Sequence, residues 1–141
     1  MTTLAVGLDI VATDGFAEQL ADPASGFVDA TFTRGEQRAA RGDAARRSQR
    51  LAARFAAKEA LLKAWSGARA GHAPALAAVD LREIEVVDDG HGRPALRLHG
   101  EVAQALDELA AELGVPAPLR THLSLSHDPP IAAAVVVLSS P

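Results

Sequence analysis

The 141-residue chain has no cysteine and no tyrosine, one tryptophan, one methionine, and an aromatic share of only 4%. Lacking cysteine, it has no disulfides, no thiolate nucleophile and no cysteine-based zinc site, a composition that fits a reducing compartment. With so few aromatics, the core has to be built from Ala, Leu and Val. Such small side chains favour close packing of elements and leave further burial to association between copies. An excess of positive charge is also missing. The formal net charge is −4, with basic residues bunched between Arg34 and Lys63 and acids richer after Asp80. That distribution favours an anionic partner at one place over nucleic acid along a whole face. No apolar run approaches the roughly 20 residues that cross a bilayer. The run at 131–138 reads as a buried strand. Residues 4–11 lack a basic flank and contain Asp9, so they make a poor signal peptide, and a cytoplasmic protein without a membrane partner is expected.

What the chain does have is 48% hydrophobic content, enough for one continuous core, and the expectation is a single domain over 1–141. Residues 4–11 suit a strand, with Leu4, Val6, Leu8 and Ile10 on one face and Gly7 and Asp9 on the other. Asp14 can cap a short helix reaching about residue 20, and the Asp22-Pro23 and Ser25-Gly26 pairs then break the chain. Thr33-Arg34-Gly35-Glu36 matches a capping box and predicts a short helix to about residue 40. Residues 41–48 are polar and basic around Gly42 and read as a loop. Residues 68–79 read as a second loop. Alternating segments at 81–88 and 95–99 flank a turn at 89–92 and predict a β-hairpin. An amphipathic helix over 101–113, closed by Gly114 and Pro116, precedes two more strands at 120–126 and 131–138. The order β-α-α-α-β-β-α-β-β implies an α+β fold with a small antiparallel or mixed sheet packed against a long central helix.

That helix, over 50–66, is the most informative segment. It contains no Gly or Pro before Gly67, which can cap its end. At about 100° per residue, Ala53, Ala56, Ala57, Ala60 and Ala64 form a stripe that lets another backbone approach. On the other side, Arg54, Lys58, Glu59 and Lys63 alternate with Leu51, Phe55, Leu61, Leu62 and Trp65, leaving no broad wet face. Charges in such surroundings call for a ligand, a metal or a second subunit. The plainer alternative is a surface ion pair between Glu59 and Lys63 at i and i+4, worth roughly 0.2–0.5 kcal/mol.

Three segments taken together carry a resemblance: Val6-Gly7-Leu8-Asp9-Ile10-Val11, the run from Arg54 through Lys58-Glu59 and Lys63 to Trp65, and His122-Leu123-Ser124-Leu125-Ser126-His127. Their order and spacing resemble holo-acyl-carrier-protein synthase, the short class of 4′-phosphopantetheinyl transferase. The resemblance implies Mg²⁺-dependent transfer of the phosphopantetheine arm of coenzyme A to a serine of an apo acyl carrier protein, serving fatty acid or polyketide synthesis. It also implies a homotrimer with shared sites. Asp9 and Glu59 are carried over as metal ligands and catalytic groups, with Lys63 offsetting phosphate charge. Arg54, Lys58, Lys63, Gly67 and His127 are carried over to the coenzyme, Arg54 at the 3′-phosphate. For Lys58 the alternative is a snorkelling side chain. For His127 it is a hydrogen-bonded structural residue at a strand end.

Relatives commonly carry basic residues in the first helix, where the acidic carrier docks, whereas residues 16–20 have none and include Glu18. The docking role passes to Arg34 and Arg38, with the arginines at 41, 46 and 47 beside them, unless these form an ordinary solvated charge run. Two other readings compete with this one. A serine hydrolase built on His122, Ser124, Ser126, His127 and Asp128 fails on spacing, because alternate strand residues face opposite ways and no Gly-x-Ser-x-Gly elbow is present. A non-catalytic coenzyme A or nucleotide-binding module has no need for both Asp9 and Glu59.

Overall fold

The computed structural model describes all residues, Met1 to Pro141. In chain order the elements are β1 (Thr3–Ala12), α1 (Thr13–Ala21), α2 (Phe27–Thr31), α3 (Arg34–Ala39), α4 (Ala44–Ala68), β2 (Ile84–Asp88), β3 (Pro94–Leu98), α5 (Gly100–Leu113), β4 (Arg120–Asp128) and β5 (Ile131–Ser139). A 3-10 turn at Leu81–Glu83 leads into β2. β1, β5 and β4 form an antiparallel sheet in that order, and β2 pairs with β3 as a separate antiparallel hairpin. The expected α+β architecture, with small sheets around a long central helix, is present.

α4 packs along the inner face of the three-stranded sheet, and the alanine stripe explains how. Ala53, Ala56, Ala57, Ala60 and Ala64 are all at most 1% exposed. Opposite them, Gly7 brings its backbone so close that an added Cβ would sit 1.9 Å from the Ala60 carbonyl oxygen. Only glycine permits this approach. On the flanks, Leu51 and Leu61 are fully buried, each contributing about 1.5–3 kcal/mol of transfer free energy. The chain's four phenylalanines are not dispersed. Phe16, Phe27, Phe32 and Phe55 gather between α1, α2 and α4, with ring centroids 5.7 to 6.4 Å apart and mostly edge-to-face. This cluster holds the helical flank that the alanine-built core cannot reach.

The structure corrects several element boundaries. α4 begins at Ala44, inside the stretch read as a loop, because the Asp43 side chain accepts from the Arg46 amide and caps the first turn. It also runs through Gly67 to Ala68, so Gly67 is a helical residue and not the cap. α2 was not anticipated. It follows Gly26, whose φ of 62° turns the chain, and Phe27 and Val28 pack into the phenylalanine cluster. Residues 81–83 form the 3-10 turn and not the start of a strand.

Strand alternation gives the sheet two unlike faces. Gly7, Asp9 and Val11 face α4 with Ala132, Ala134 and Val136. The outer face presents Val6, Leu8 and Ile10, exposed by 61%, 56% and 61%. Val137, Val135 and Ala133 lie directly across from them on β5. Nothing within the chain covers this apolar face.

Candidate active site

Asp9 is delivered to α4 by the β1 alternation, two residues beyond the glycine that lets strand and helix meet. Its neighbour across the ladder is Ala134, a small residue that leaves room above it. Lys63, on the α4 face toward β1, donates from Nζ to Asp9 Oδ1 at 3.0 Å and to the Leu8 carbonyl at 2.9 Å. The plainer alternative, a surface pair between Glu59 and Lys63, is not what forms: Lys63 pairs with Asp9. Glu59 lies one turn before Lys63, half-buried, and no protein group donates a hydrogen bond to it. Burial pushes the Glu59 carboxyl above the usual carboxylate range, the nearby Asp9 charge pushes the same way, and Lys63 opposes both. Two carboxylates thus share one ammonium. The arrangement has a deficit of positive charge.

A second cluster occupies a different side of α4. Arg54, only 7% exposed, donates to Asp88 Oδ2 at 3.3 Å and to the Arg50 carbonyl at 3.2 Å. Its Nε is buried without a partner. Together with Arg50, Asp88, Pro94, Leu125 and His127 it lines an open cleft of about 380 Å³. His127 is exposed there, at the end of β4 opposite Ala132. The structure therefore brings Arg54 and His127 together, and brings Asp9, Glu59 and Lys63 together, but does not join the two groups within one chain. Arg54 and Glu59 are five residues apart on a helix, which turns them well over 90° from one another.

Lys58 departs from the expectation of a coenzyme contact. It is fully buried, and its Nζ donates to Glu36 Oε1 at 2.7 Å and to the Leu81 and Ile84 carbonyls, both at 2.8 Å. All three ammonium donors are used inside the protein. It neither snorkels to solvent nor has a donor left for a phosphate. Burial lowers its pKa below the usual lysine value, against the pull of Glu36. The sequence placed Lys58 on the charged side of α4, but nothing in that segment announces a buried acid 22 residues earlier.

Gly67 is exposed in the last turn of α4 with open space around it. Just before it, Leu62, Trp65 and Ser66 line a small pocket with Arg69, His72 and Val79. Arg69 ties this region down, bonding the Ala73 carbonyl and Glu112. Arg34 and Arg38, on α3, line a shallow groove with Gln37, Arg41 and Arg47 and no apolar residue. Arg46 is not part of it and lies 4.0 Å from Asp43. The four clustered arginines carry no carboxylate partner.

The chain is similar over most of its length to proteins of known family. A sequence profile of the 4′-phosphopantetheinyl transferase superfamily matches residues 5–125. The holo-[acyl-carrier-protein] synthase of Mycobacterium ulcerans is 44% identical over 140 residues, covering 99% of each chain. That of Mycolicibacterium smegmatis is 42% identical over 141 residues, covering both chains completely. Among solved structures, an ACPS–CoA complex from Chronobacterium ammoniagenes superposes with a TM-score of 0.86 at 42% identity and 97% coverage of both chains. The Mycobacterium tuberculosis acyl carrier protein synthase gives 0.75 at 41% identity and 99% coverage of both.

Proposed function

Because the chain belongs to the 4′-phosphopantetheinyl transferase superfamily, we infer that it transfers the phosphopantetheine arm of coenzyme A to a serine hydroxyl of apo acyl carrier protein. It is an enzyme of the holo-acyl-carrier-protein synthase type. In the reaction, the serine oxygen bonds to the phosphorus that bears the pantetheine arm. The bond from that phosphorus to the bridging oxygen breaks, and adenosine 3′,5′-bisphosphate leaves with the negative charge. The nucleophile belongs to the partner, so this chain binds, aligns and neutralises.

The observation that carries the reading is the Asp9–Glu59 pair served by a single ammonium from Lys63. Two oxygen donors, one of them without a hydrogen-bond partner, fit Mg²⁺, which takes one or two carboxylates and completes its shell with waters and substrate phosphates. Bound there, the ion supplies neutralisation of diphosphate charge, the main requirement of phosphoryl transfer. Lys63, with half its side chain exposed, adds a positive charge beside the same carboxylates. Glu59, whose proton affinity is raised, and a site water are the two candidates for taking the serine proton. Arg54 and His127, with Arg50, form the cleft for the phosphates of the nucleotide end, the arginine through its fork.

Two features support a homotrimer in which each site is shared between neighbours. The carboxylates and the phosphate cleft are separated within one chain, and the outer face of Val6, Leu8 and Ile10 is uncovered. The arginine groove on α3 suits an acidic carrier protein. No helix is long and apolar enough to cross a membrane, and the absence of cysteine is in keeping with a cytoplasmic site of action.

The reading is tested by incubating the protein with coenzyme A, Mg²⁺ and an apo acyl carrier protein and following release of adenosine 3′,5′-bisphosphate. Release that depends on the carrier and is abolished by chelator is the expected result. Coenzyme A binding without release, across several carriers, would assign the chain to a non-catalytic module. A Glu59→Gln variant that retains Mg²⁺ affinity but loses turnover identifies Glu59 as the base, whereas loss of both leaves metal binding as its role.

A further inference from the structure

Lys58 and Glu36 are both essentially inaccessible, at 0% and 1% exposure, and the reaction uses neither. Their hydrogen bonds are complete. The Lys58 ammonium reaches α3 through Glu36, the 3-10 turn through Leu81 and β2 through Ile84, and it sits 5.3 Å from the centre of the Phe32 ring. Glu36 Oε1 also accepts from the Thr33 amide at 3.0 Å, and Oε2 accepts from the Val86 amide at 3.1 Å. Thr33, the cap of α3, donates in turn to Glu85 Oε2 at 2.7 Å.

A buried ion pair is a weak device for stability, since an apolar pair of similar volume often serves as well or better. What this one provides is position. α3 has six residues, too few to persist as a helix without tertiary support. It nonetheless carries Arg34 and Arg38 into the groove completed by Arg41 and Arg47. Its inward side chain, Glu36, is gripped by the residue of α4 that immediately precedes Glu59. One turn of α4 thus holds α3 through Lys58 and carries the site carboxylate Glu59.

We propose that Lys58, with Glu36, is a positioning residue for the carrier protein, fixing the arginine-bearing helix α3 on α4 so that the acidic partner docks in register with the site. The proposal rests on the reading of that groove as the docking surface for an acidic carrier.

The test is steady-state kinetics on full-length Lys58→Met and Glu36→Gln, varying the carrier and coenzyme A separately. Glu36→Gln preserves side-chain volume, so it reads out the proposal even if Lys58→Met does not accumulate as folded protein. The expected result is a rise of about tenfold in KM for the carrier, with kcat and KM for coenzyme A held within about twofold. Hydrogen exchange should quicken at the α3 amides and stay slow in α4. The double substitution Arg34→Ala/Arg38→Ala should raise the carrier KM in the wild type and add little in the Lys58→Met background, because coupled residues are non-additive. A rise in KM for coenzyme A, a fall in kcat alone, or full additivity with the arginine substitutions overturns the positioning role. Wild-type protein that modifies no carrier overturns the function itself. An active enzyme indifferent to Arg34→Ala/Arg38→Ala overturns only the docking surface.

Discussion

At the scale of single residues, Gly7 and Glu59 show how the site is bound into the fold. Gly7 sets the separation of β1 and α4, since a Cβ there would overlap the Ala60 carbonyl. Gly7→Ala should therefore cost about 3 kcal/mol, seen as a Tm lower by about 10 °C, and should reduce turnover by shifting Asp9 against Glu59. Glu59 carries the opposite energetic signature. Because its folded pKa lies above its unfolded value, the folded protein holds the proton more tightly, and stability falls as pH rises from the ordinary carboxylate range through the raised value. In chelator-treated protein, Glu59→Gln should have a higher Tm than wild type at about pH 8 and no advantage at about pH 4. Added Mg²⁺ should raise the wild-type Tm, and the size of the rise in the variant measures how much of that binding rests on the Glu59 charge. Equal Tm values for both proteins at each pH would show that Glu59 is not held in tension by the fold.

At the scale of elements, α4 organises the molecule, and its start depends on a polar cap. Asp43→Ala should cost about 1 kcal/mol and speed hydrogen exchange at residues 44–49, while the middle of α4 stays protected. Phe32 is 1% exposed between Phe16 and Phe27. Phe32→Ala should cost about 3–5 kcal/mol, measured by denaturant unfolding. These elements also mark what the sequence disclosed. The alanine stripe, the capping box at Thr33 and Glu36 and the alternation of β1 were legible because each is a local pattern with a local cause. The first turns of α4 were obscured because residues 44–50 offer almost no apolar period, although Asp43 marked their cap. α2 was hidden because a five-residue helix is too short to show a period and forms by packing its phenylalanine into a cluster assembled from distant segments. For the candidate site, Asp9, Glu59 and Lys63 were singled out through the resemblance, and the structure brings them together because β1 lies against α4. The burial of Lys58 was not, because its partner Glu36 reaches it only through tertiary packing.

At the scale of the whole molecule, the sheet face formed by Val6, Leu8 and Ile10 with Val135 and Val137 is the natural place for further copies to associate. A single charge there should disrupt assembly. The proposed trimer predicts that the wild type sediments as a trimer and Leu8→Glu as a monomer, with activity lost while every site residue is still in place. Trimeric, active Leu8→Glu would exclude this face as the interface.

The most direct measurement is the intact mass of apo acyl carrier protein after incubation with coenzyme A, Mg²⁺ and a co-refolded mixture of Asp9→Ala and Arg54→Ala proteins, each also assayed alone. A shared site predicts little modification by either variant alone and a gain of one phosphopantetheine with the mixture, because some interfaces pair an intact carboxylate side with an intact cleft. A mixture no more active than its parts would contradict a site built between subunits, and an Asp9→Ala protein that modifies the carrier unaided would contradict the role of the carboxylates themselves.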